Sequence, residues 1–167
     1  RRAGRSRYAR PTPRARPGTP APAQAAYYVP KGVNLMEPVL CYRLNSPLTE
    51  AEATVRAALQ KEGFGILTEV DVTAVLRAKL GVETKPYKIL GACNPAIAHR
   101  AMEADPRVGA FLPCGLALYE DAEGHTTVCL QNPDLISATF HTHGLEEAGN
   151  EARERLDSAL RSVAKPV

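Results

Sequence analysis

Residues 62–114 read EGFGILTEVDVTAVLRAKLGVETKPYKILGACNPAIAHRAMEADPRVGAFLPC. Short apolar runs alternate here with helical patterns, and a capping residue stands at each change. Phe64 to Val70 has the length and apolar content of a strand. Asp71 follows as a helix N-cap, Val72, Val75, Leu76 and Leu80 recur at helical spacing, and Gly81 sits where that helix should close. Tyr87 to Ala92 reads as a further strand. Asn94-Pro95 then opens another helix, with Asn as cap and Pro in the first turn, where its missing N–H costs nothing. Asp105-Pro106 ends that helix. Such alternation predicts strands covered by helices.

The pattern extends on both sides. Val39 to Asn45 reads as a first strand, broken by Ser46-Pro47. Thr49-Glu50-Ala51-Glu52 fits a capping box, with Leu48, Ala51, Val55, Ala58 and Leu59 at helical spacing and Gly63 at the helix end. Leu116 to Tyr119 and Thr126 to Leu130 flank a polar turn at Gly124 and read as a β-hairpin. Pro133 to Phe140 reads as a short helical turn. A last helix is expected over Asn150 to Ala164, with Ala152, Leu156, Ala159, Leu160 and Val163 on one stripe. Its solvent face carries the i,i+4 pairs Glu151–Arg155 and Asp157–Arg161. The expected fold class is α/β (α+β): a compact two-layer single domain over residues 36–167, with a mixed or antiparallel sheet of about five strands and helices packed on it.

The 167 residues are 44% hydrophobic and 23% charged, ordinary for a globular chain. No apolar run approaches the ~20 residues of a membrane-spanning helix. Arg1 and Arg2 are followed by no apolar segment of the kind an export signal needs, so the expectation is a cytoplasmic protein. The net charge of +3 hides two opposite segments. Residues 1–35 hold eight basic and no acidic residues, whereas the other 13 basic and 18 acidic residues leave 36–167 at −5. The first segment also holds six of the 14 prolines and is expected to be a disordered Arg/Pro-rich arm. Met36, just ahead of the first strand, suggests a natural start near there, in which case residues 1–35 are an upstream translation, an appended remnant or a genuine disordered arm. An acidic folded part repels phosphate, so nucleic acid is excluded as a partner except through that arm.

The motifs GFGILTEVDV, PYKILGACNP and FLPCG, at residues 63–72, 86–95 and 111–115, together with the order of elements, carry a family resemblance. The chain resembles the bacterial and archaeal family catalogued as domain of unknown function 302, over about Leu44 to Leu160. The resemblance implies a small single-domain α/β protein, a dimer, with no assigned reaction and no established catalytic residues.

Chemistry concentrates at Cys93. It stands between a strand and a helix N-terminus, where free N–H groups and the helix dipole lower a thiol pKa. A reactive thiolate or a soft-metal ligand suits the place; the plain alternative is a small residue filling a tight turn. Cys114 opens the next strand. If the two strands are antiparallel neighbours the sulfurs come close enough to bridge or to share a metal; if parallel, they lie at opposite ends. His99, one turn into the helix, is a third candidate ligand, against a solvent-facing histidine. Lys88, in an otherwise apolar strand, is a candidate anion contact. Cys41 and Cys129 read as core fillers, since no C-x-x-C is present and four cysteines in a cytosolic chain do not make a disulfide framework.

His141 and His143 form a pair lacking a third ligand. Glu69 and Asp71 look like an acid/base pair, but Asp71 already has work as a cap. There is no P-loop, G-x-S-x-G elbow or H-E-x-x-H, and Gly63-Phe64-Gly65 precedes a strand and so is no dinucleotide fingerprint. The leading expectation is a homodimeric accessory protein binding a small ligand or soft metal ion at the Cys93-Asn94-Pro95 turn, with Cys114 as second wall. A thiol-redox enzyme using Cys93 and Cys114, and a dimerisation module without a site, are the alternatives.

Overall fold

Alternation along the strands sets the architecture. Tyr42 and Leu44, Leu90 and Ala92, Leu116 and Leu118, and Val128 and Leu130 are buried, while Arg43, Ala117 and Cys129 between them are half-buried or exposed and Gly91 is buried against Thr68 and Pro113. One face of a single sheet is therefore covered and the other is not. The computed structural model describes residues 37–142 and 144–167; the arm at 1–35 and its expected disorder lie outside them. The strands are β1 (Val39–Leu44), β2 (Gly65–Asp71), β3 (Tyr87–Cys93), β4 (Cys114–Glu120), β5 (Thr126–Gln131) and β6 (Lys165–Pro166). They lie in the order β2-β3-β4-β5-β1-β6, every neighbouring pair antiparallel.

Helices α1 (Leu48–Lys61), α3 (Pro95–Ala104), α4 (Asp134–Phe140) and α5 (Leu145–Arg161) cover the buried face, with α5 touching the other three. α5 buries Leu145, Ala148, Gly149, Ala152, Leu156, Ala159 and Leu160, and so spends its apolar stripe on its own chain. Gly149 lets α4 close on it, since a Cβ there would meet the Ser137 hydroxyl at 2.6 Å. The Tyr42 hydroxyl donates to Asp157 and ties α5 to β1; burial first, and then the carboxylate, push its pKa up. No helix among the described residues is long and apolar enough to cross a membrane.

Most predicted elements are present, and the differences have local causes. Asp71 caps α2 (Val72–Leu80) by accepting from the Ala74 N–H at 2.8 Å, and Gly81 closes it at φ 65°. Yet no residue of α2 is buried, although its pattern is amphipathic. The capping box does not form: Glu52 pairs with Arg56 and Lys88, and Glu120 of β4 accepts from the Leu48 N–H at 2.6 Å. α5 begins five residues before the expected Asn150, and β6 is a sixth strand that two residues after a helix do not advertise.

Cys41 and Cys129 are not separate core fillers. They face each other in the β1–β5 register, their Cα atoms 4.1 Å apart, and are joined by a disulfide on the uncovered face. The Tyr119 hydroxyl lies 3.8 Å from the Cys129 Sγ and its ring stacks on Tyr87. Pairing of the first strand with the fifth, 88 residues apart, is what brings the two sulfurs together.

Candidate functional site

β3 and β4 are antiparallel neighbours, with Ala92 opposite Cys114. Cys93 stands one residue further on, at the strand end, where the chain turns into α3. Asn94 fixes that turn: its side-chain oxygen accepts from the Ala96 N–H at 3.1 Å and the Ile97 N–H at 3.3 Å, with Pro95 in the first helical turn. Behind it lies an apolar cavity of about 30 Å³ under α3, α4 and α5. Cys93 and Cys114 both line it, with Phe64, Ile97, Ile136 and Leu145 among the other walls. Cys114 is 6% exposed and Cys93 half-buried, and both are free thiols.

The electrostatics run opposite to the expectation from the helix end. Burial pushes the Cys93 thiol above its ordinary pKa. Burial, and then the neighbouring charge of Cys93, raise Cys114 to about 11. The helix dipole is outweighed because Asn94 already occupies the first N–H groups and the surroundings are apolar. Both groups are neutral at pH 7. The helix N–H groups expected to favour a Cys93 thiolate are taken up by the protein's own Asn94 side chain.

Other expected site residues are elsewhere. Lys88 is no free anion contact: its ammonium pairs with Glu52 at 2.9 Å and Glu69 at 2.7 Å, tying β2 and β3 to α1. His99 is 70% exposed on the outer side of α3, beside Glu103, and does not line the cavity. The expected trio of ligands is therefore a pair. Glu69 is held below the usual carboxylate range, chiefly by the Lys88 hydrogen bond with Arg56 adding to it, and Asp71 serves as the α2 cap. His141 ends α4 at φ 47°, and His143 lies outside the described residues.

Asp121, Glu123 and His125 bring ligand atoms within 4.8 Å of one another in the β4–β5 turn, which the sequence reading did not single out. The spacing D-x-E-x-H was the available signal. Asp121 accepts from the Glu123 and His125 N–H groups and pairs with Arg43 at 2.5 Å, so it builds the turn.

The model of the domain of unknown function DUF302 matches residues 40–163. No curated protein matches the chain. The crystal structure of an uncharacterized conserved protein DUF302 from Bacillus stearothermophilus is similar, with a TM-score of 0.71 and 28% sequence identity, over 77% of this chain and 99% of that one. The match over most of the chain, joined to the same α/β architecture in a solved relative, makes this protein a member of the domain of unknown function 302 family.

Proposed function

We propose that the protein is a homodimeric accessory protein that holds one soft monovalent cation, such as cuprous ion, between Cys93 and Cys114. The observation that carries this reading is the cavity: two free thiols line one apolar space of about 30 Å³. That volume suits a single atom and is far below the roughly 300–1,000 Å³ of sites for larger small molecules. Soft thiolates select monovalent copper, and a two-ligand site suits it. Binding exchanges protons for metal: two thiols and one cation give a bis-thiolate complex and release two protons. Raised thiol pKa values therefore make uptake strongly pH-dependent. A thiol-redox enzyme is supported less, because it needs a thiolate at neutral pH and a reachable sulfur. The Cys41–Cys129 bridge favours an oxidising compartment over the cytoplasm expected from sequence.

The test uses silver ion, which needs no reductant and leaves the disulfide intact. Titration of the full chain, followed by native mass and metal analysis, is expected to give one silver per chain. Cys93→Ser and Cys114→Ser should each abolish it. Retention of silver by both variants would overturn the site.

A further inference from the structure

The two edges of the sheet differ sharply. β6 closes one edge with only two residues, one of them Pro166, which has no N–H to offer another chain. β2 forms the other edge with seven residues, six of them exposed, and contains no proline or lysine. A register shift between Ile66 and Thr68 sets Leu67 aside, but Thr68 to Asp71 continue as regular strand. The surrounding surface is apolar. Among the described residues, six of the nine exposed large hydrophobics lie between 67 and 89: Leu67, Val70, Val75, Leu80, Val82 and Ile89. They expose on the order of 500 Å² of side chain, more than half of the ~800 Å² that each partner of a standard interface buries.

We infer that two copies of this chain pair through the edges of their β2 strands about a two-fold axis. The inference deepens the homodimer reading given above and rests on it. Three observations favour a second copy as the occupant. An edge strand is complementary to itself under a two-fold, since each free N–H of one copy meets a free C=O of the other in antiparallel register. The charges of β2 are already paired within its own chain, Glu69 with Lys88 and Arg56 and Asp71 as the α2 cap. Neither the edge nor the groove of about 460 Å³ at its start, lined by Arg56, Gln60, Gly63, Phe64, Gly65 and Ile66, therefore brings an unpaired charge to the interface. Finally, a Cβ built on Gly65 meets nothing within 4 Å, so the groove is open to an approaching backbone. The last helix offers no second apolar surface, because its stripe is occupied by its own core.

The experiment is light scattering of the full chain at tens of micromolar, on the wild type and on Leu67→Lys, Val70→Lys and the control Met102→Lys. Leu67 and Val70 are already 65% and 45% exposed, so both variants should keep the wild-type circular dichroism. Expected are a mass twice 18.0 kDa for the wild type and the control, and at least a tenfold weaker dimer for each β2 variant. A dimer unaffected by both variants would overturn the β2 surface while leaving the homodimer intact. A monomeric wild type would overturn the homodimer and the surface together.

Discussion

Cys41 with Cys129, and Cys93 with Cys114, each span two neighbouring antiparallel strands, yet one pair is bonded and the other is not. The difference is one residue of register. Cys41 faces Cys129 directly, whereas Cys114 faces Ala92 and its sulfur partner stands one step beyond. Because successive side chains on a strand alternate in face, a single-residue stagger separates a bridge from a pair of thiols. The bonded pair lies on the uncovered face; the free pair lines the apolar cavity. Register makes two identical residue types a structural clasp in one place and the free thiols of the proposed site in the other.

The comparison breaks most completely if the stagger is removed. Ala92→Cys combined with Cys93→Ala puts a thiol directly opposite Cys114, within the Cα range a disulfide accepts. The free thiol count should fall from two to none on oxidation, read by mass and thiol labelling; two persistent thiols would mean that register is not what separates the pairs. Next in size is loss of the native bridge. Replacing Cys41 and Cys129 together by Ala should cost about 2–4 kcal/mol, because the bridge closes a loop of 88 residues. Denaturant unfolding with and without reductant checks this, the double variant being indifferent to reductant.

The free pair has an alkaline signature. Cys114 is raised from 9.0 to about 11, so between these pH values the folded chain keeps a proton that the unfolded chain has lost. Its contribution is complete below pH 9 and is lost as pH rises to 11, by about 2–3 kcal/mol. Unfolding midpoints at pH 8 and pH 10.5 should separate in the wild type and draw together in Cys114→Ala. Smallest is the far end of β3: Lys88→Met, which removes two partly exposed ion pairs, should cost under about 1 kcal/mol in the same assay.

What the sequence made legible was local. Asp71 and Gly81 bound α2, and Asn94-Pro95 opens α3, because caps act within a few residues of themselves. The element order and the family followed from the same stretch. Partners brought from far along the chain were not legible. Glu120, from β4, accepts from the Leu48 N–H at the start of α1, one residue ahead of the expected box, and Glu52 turns to Lys88. Cys41 meets Cys129 only because β1 inserts beside β5. At the site, a helix N-terminus was visible but its dry surroundings were not, so the sign of the Cys93 shift came out wrong. α2 shows the same limit: the amphipathic pattern specified a helix without saying what its apolar side would face.

The place of β1 also bears on biosynthesis. The strand leaves the ribosome before any other in the sheet, yet its two neighbours, β5 and β6, are the last to emerge. Throughout translation of the intervening residues it has nothing to pair with, and a chain stalled before Thr126 presents both of its edges unpaired. The sheet closes only after both late strands have emerged, and the chain is most exposed to chaperones and proteases until then.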